Sequence, residues 1–182
     1  MRWRVWIALF VCLVWAMPGE VRAQADLVQA GSDLDISLPD YMAKAGPDVK
    51  LVEAGKLKID DHTMRCGKRP TVMDPNFESW GGAYPGYLIL NPKRLKALPT
   101  AVKLFVYAHE CGHQFIGRDE TKADCFGVKR GRRYGWLKEE GLAQVCDFIS
   151  QLKGDADHAA GPKRCEIMRQ CYLDAAPRAS RN

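Results

Sequence analysis

The densest chemistry in the chain lies in His109-Glu110-Cys111-Gly112-His113. On an α-helix, residues four apart share a face with Cβ atoms roughly 5–6 Å apart, so both imidazoles can reach one metal ion. Glu110, next to the first histidine, is placed to take a proton from a metal-bound water. A catalytic site that keeps one position open for water needs a third protein ligand. Asp119, Glu120 and Asp124 follow closely, and Gly117 allows the chain to turn back over the metal. Glu120 and Asp124 are four apart and divide the labour. Glu120 is the candidate ligand, and Asp124 the acceptor that fixes a ligand histidine's Nδ1–H. The chemistry expected of such a set is hydrolysis of a polarised carbonyl by an activated water.

The elements that must position these residues can be read outward from the motif. Between 101 and 116 one side carries Val102, Phe105, Val106, His109, His113 and Ile116, and the other Leu104, Ala108, Cys111 and Phe115. Apolar residues on both sides predict a buried, central helix. Thr100 is the candidate N-cap and Gly117 the terminator. Asp119 caps a second helix over about 120–130, followed by helices at Leu137–Leu152 and Lys163–Ala175 around an Asp155–Pro162 loop. Cys111 lies about 200° around the helix from His109 and points into the core.

Upstream, the pattern predicts short strands. Candidates are the alternating Leu34, Ile36 and Leu38, a hairpin of Val49–Val52 with Lys56–Ile59, then Met64–Cys66 and Thr71–Met73. Residues 74–86 read as a loop whose Trp80 and Tyr84 either line a cleft or simply pack. Tyr87–Leu90 is the best strand. His62 sits in a polar, exposed turn.

The N-terminus predicts export. The basic MRWR and a thirteen-residue apolar run precede small residues at Ala23 and Ala25, as in a signal peptide (1–23) cleaved after Ala23 or Ala25. Residues 24–50 form a poorly defined lead-in, 51–176 the main domain and 177–182 a frayed tail. Removing 1–23 takes away three arginines and one glutamate, leaving 24 basic and 21 acidic residues, a balance of +3. That is too mild to argue for nucleic acid. The run Lys129, Arg130, Arg132, Arg133 reads as a solvated loop touching anionic substrate or envelope. No further segment is apolar enough to insert stably in a membrane.

Six cysteines remain, which suggests up to three disulfides among 15 connectivities. Cys165 and Cys171 are six apart on one helix, a rise of about 9 Å, too far to pair with each other. Cys146 is a natural partner for one of them. Cys111 and Cys125 are candidates to staple the two helices that flank the metal.

HECGH followed by Glu120-Thr121-Lys122-Ala123-Asp124 resembles the HExxH…ExxAD signature of gluzincin metallopeptidases, closest in style to the HtpX-like and CAAX-endoprotease-like branch. That branch also carries a histidine with an arginine six residues later. His158 and Arg164 match, while the proline of that pattern is missing. The resemblance covers about residues 85–165. It implies Zn²⁺, one per chain, on His109, His113 and Glu120, with Asp124 behind them, Glu110 as general base and His158 steadying the oxyanion. It also implies a sheet edge above the zinc helix, where a peptide adds as a strand. Tyr87–Leu90 is the candidate edge, or else an ordinary buried strand. The step from His113 to Glu120 is much shorter than in the membrane branch. Asp119, six after His113, is the alternative third ligand.

The expected fold is α+β: a minimal zincin-like domain with a small mixed sheet on a central zinc-binding helix and further C-terminal helices. The expected function is a secreted or periplasmic zinc metallopeptidase acting on a peptide or protein substrate. The alternatives are a non-catalytic, disulfide-stabilised zinc-binding module of the envelope and a zinc amidase on cell-wall peptides.

Overall fold

The computed structural model describes residues 36–154 and 159–175. The expected signal peptide (1–23), Leu34, His158 and the expected 177–182 tail lie outside the described residues. Among the described residues the chain is α+β, with six helices and two small sheets. In order these are α1 (Leu38–Lys44), β1 (Lys50–Val52), β2 (Leu57–Ile59), β3 (His62–Met64), β4 (Thr71–Met73), β5 (Gly81–Tyr84), β6 (Tyr87–Leu90), α2 (Pro92–Leu95), α3 (Thr100–Ile116), α4 (Glu120–Tyr134), α5 (Glu139–Ser150) and α6 (Gly161–Leu173).

The four-stranded sheet runs β1-β4-β6-β5, with β4 and β6 parallel and the outer pairs antiparallel. β6 is buried along its whole length because both sheet faces are covered. Tyr87 and Ile89 face α1, whereas Leu88 and Leu90 face α3 and the β2–β3 hairpin. Burying such side chains contributes roughly 1.5–3 kcal/mol each. α3 packs between this sheet and the C-terminal helices and is buried on most sides, from Val102 to Gly112.

Several expectations are corrected. Ser37 caps α1 through its hydroxyl, so Leu38 starts a helix rather than ending a strand. α1 and Val49 pack on the sheet. The hairpin is β2 with β3, not β1 with β2. Asp60 takes the left-handed turn (φ 49°), and β1 pairs β4 instead. His62 is therefore half-buried in a strand. The 74–86 loop contains β5, so Tyr87–Leu90 is an interior strand and β5 is the edge. Thr100 is the first helical residue and its hydroxyl donates to Asp60 (2.6 Å), while Pro99 holds the cap position. The basic run forms the last turns of α4, where Arg132 donates to the Tyr172 carbonyl and stacks over the Tyr172 ring.

The disulfides are Cys66–Cys111, Cys125–Cys171 and Cys146–Cys165. Cys146 does pair with one of the two α6 cysteines. Cys111 and Cys125 do not pair with each other: Cys111 points away from α4 toward Cys66, which follows β3.

Candidate metal centre

His109 and His113 project from one side of α3, their ring planes nearly perpendicular and their centroids 4.7 Å apart. Each ring is oriented through Nδ1. His109 Nδ1 lies 2.9 Å from Asp124 Oδ1 and His113 Nδ1 lies 2.8 Å from the Gly117 carbonyl. Carboxylate and carbonyl oxygens only accept, so both Nδ1 atoms carry the proton. In their neutral, metal-binding form the two rings turn Nε2 lone pairs toward each other, with the Nε2 atoms 3.1 Å apart.

Glu120 closes the third side. Its carboxylate oxygens lie 3.0 Å from His109 Nε2 and 3.4 Å from His113 Nε2. The seven-residue step from His113 closes because α3 ends at Gly117 with φ 74°, ψ −153°, a conformation that only glycine adopts readily. Asp119 then caps α4 through the Lys122 amide and pairs with the Lys122 ammonium, which places Glu120 in the first helical turn. Glycine also sets the spacing between helices. A Cβ on Gly112 would lie 3.2 Å from Phe126 Cδ1 and 3.3 Å from the Ala123 Cα, so α4 can lie close against α3.

His109, His113 and Glu120 form the one group of donor atoms suited to a metal ion among the described residues, all within 4.8 Å of one another. Ligands at about 2.0–2.1 Å from a tetrahedral ion stand roughly 3.3 Å apart, close to the 3.0–3.4 Å found. Two lone pairs and a carboxylate that converge require a cation between them, a proton or a metal ion. Burial disfavours the His109 imidazolium. Its hydrogen bonds to Asp124 and Glu120, and the charges of Glu110 and Asp124, outweigh that and push its pKa up to about 10. Burial likewise opposes a charged Glu120, yet its bonds to the two histidines hold the carboxyl well below the usual range.

Behind His109 stands a buried network. Asp124 is 1% exposed and accepts Arg164 Nε (2.7 Å) and Nη2 (2.8 Å) as well as His109. Burial pushes the Asp124 carboxyl up, but Arg164 and His109 prevail and keep it ionised. With His109 and His113 neutral, a divalent ion with Glu120 and Glu110 would leave no net charge, and Asp124 cancels Arg164.

Glu110 borders a cleft together with His109 and lies against β5. A Cβ on Gly81 would come 2.9 Å from Glu110 Cγ and 3.1 Å from its Oε1, so only glycine lets the edge strand come this near. Trp80 lines the same cleft; Tyr84 instead stacks on Tyr87. The residue after the motif clamps the strand. Gln114 Nε2 donates to the Tyr84 and Tyr87 carbonyls, and its Oε1 accepts from Arg69 and the Gly86 amide.

Sequence reasoning matched Arg164 to a motif position without giving it a role, and it passed over Gln114, Arg69 and Gly81. The one available signal was the six-residue step from His158 to Arg164. Glycine 81 and the Gln114 clamp act on distant chain segments and leave no local pattern. No protein family, curated protein or solved structure matches this chain.

Proposed function

We propose that this protein is an exported, zincin-like zinc metallopeptidase. The observation that carries the reading is the convergence of His109 Nε2, His113 Nε2 and Glu120 on one point, with Glu110 beside them at the mouth of a cleft. A His₂Glu donor set suits zinc, and the ion supplies a Lewis acid that polarises the scissile carbonyl and acidifies water. Glu110 takes the proton of the attacking water and passes it to the leaving amine. Asp124, backed by Arg164, keeps His109 in the tautomer that offers Nε2.

The substrate backbone adds to β5, the edge strand of the sheet among the described residues, which Gly81 brings against Glu110. This transfers the peptide-binding edge from Tyr87–Leu90 to Gly81–Tyr84. Export is supported by the basic and apolar N-terminal run and by three disulfides. No helix among the described residues is long and apolar enough to cross a membrane.

The test is Glu110→Gln in the mature protein. It should keep zinc at one per chain and lose casein or peptide cleavage by about 10²–10⁴-fold. Undiminished turnover would sink the role of Glu110. Zinc binding by the parent protein with no cleavage of any peptide would favour a non-catalytic module.

A further inference from the structure

We propose that the cleft beside Glu110 is a specificity pocket that admits a bulky apolar side chain, aromatic or long aliphatic, adjacent to the bond cut. The inference rests on the peptidase reading of the same site and adds its substrate class. The cleft holds about 420 Å³ and lies between the start of β5, α3 and the C-terminal end of α5. That volume falls among ligand pockets of roughly 300–1,000 Å³.

Its walls are Trp80, Phe105, Val106, Phe148, Ile149 and Leu152. The Trp80 and Phe148 rings meet edge to face, centroids 5.1 Å apart at 83°, so each fixes the other's orientation. The two residues therefore present a preformed apolar surface rather than a surface moulded around a ligand. His109 and Glu110 border the same space, so a side chain seated there holds its own backbone next to the proton acceptor.

The charged groups on the lining argue against a charged occupant. Arg164 is engaged with both oxygens of Asp124. Lys153 is exposed at the rim, where it stays hydrated. Glu110 is the lining carboxylate, and a basic side chain paired with it would block the base that hydrolysis needs. A charged group seated between the aromatic and aliphatic walls would lose its hydration without a dedicated partner. Glycine or alanine would leave those walls unfilled.

The test is digestion of a mixed peptide library by the zinc-loaded mature protein, with cut sites read by mass spectrometry. Alongside it, NMR titration compares N-acetyl-phenylalaninamide with N-acetyl-glycinamide and N-acetyl-aspartamide. The expected result is enrichment of Phe, Trp, Tyr, Leu or Met at one position flanking the cut, together with binding of the phenylalanine probe at least tenfold tighter than the other two. Leu152→Glu, half-buried just beyond the C-terminal end of α5, should lower kcat/KM for apolar peptides by about 10–100-fold and raise cleavage beside Lys or Arg. Cleavage with no apolar preference at any position overturns the pocket and leaves the peptidase reading standing. If nothing is cleaved, the peptidase reading fails and the probes decide the pocket alone. Selective binding of the phenylalanine probe then upholds it, and equal binding of all three overturns it.

Discussion

The two histidines of the metal group share one helix and one spacing, yet their surroundings differ. His109 is buried, and its Nδ1 meets a carboxylate that is itself held by a buried arginine from α6. His113 is nearer the surface, and its Nδ1 meets a backbone carbonyl four residues on. The deep histidine depends on three helices, the shallow one on a single turn. Buried charge needs a partner, and a partner for Asp124 has to come from elsewhere in the chain. A backbone carbonyl at a helix end is already on hand. The disulfides follow the same division. Cys111, Cys125 and Cys165 each directly follow a site residue, Glu110, Asp124 and Arg164. Two of the three bridges pin α6, the helix that delivers Arg164 to the deep side.

The strongest way to break the comparison is Arg164→Met. Removing one partner of a buried ion pair costs about 3–5 kcal/mol. Urea unfolding should register a loss of that size, partly recovered by Arg164→Lys, which restores a charge without the two-pronged geometry. A loss below about 1 kcal/mol would show that the network does not hold the deep side.

Next is Asp124→Asn, which keeps the shape and removes the charge. Metal affinity, measured by competition with a chelator, should fall about 10–100-fold, the usual effect of losing a partner behind a ligand histidine. Unchanged affinity would make the two sides equivalent. On the shallow side, Gly117→Ala forces a side chain into a glycine conformation (φ 74°, ψ −153°) at a cost of at least about 1 kcal/mol. It should displace His113 while leaving His109 protected from solvent, which hydrogen exchange and imidazole NMR can separate.

The most gradual test is pH. In the metal-free protein His109 is protonated below about pH 10. A raised histidine pKa stabilises the fold fully below the unfolded value, about 6.5, and that stability is lost as pH rises through about 10. A metal must displace this proton, so its affinity should climb about tenfold per pH unit through the neutral range. Calorimetry in buffers of differing ionisation enthalpy should find at least one proton released per metal at pH 7. No proton release would contradict the His109 environment.

Much of the site is written locally. His109, Glu110 and His113 lie on one helical face because four residues nearly complete a turn, and Gly117 with the Asp119 cap returns Glu120 within seven residues of His113. Buried character was also legible for α3, from apolar residues on both its sides. What failed was pairing. β1 chose β4 over β2 and Cys111 chose Cys66 over Cys125, while of the two readings of Tyr87–Leu90 the buried strand holds and β5 is the edge. Strands of three or four residues carry too little pattern to name a partner.

The sequence by itself determined the donor types, their spacing and the turn that brings them together, because helix and cap geometry act over a few residues. Only the tertiary structure decided that Arg164 neutralises Asp124 behind His109, that Gly81 brings an edge strand against Glu110, and that Trp80 and Phe148 meet to wall the cleft. Those contacts join residues from roughly 30 to 70 positions apart. Their energies come from burial and charge pairing, which exist only once the helices and sheet have packed.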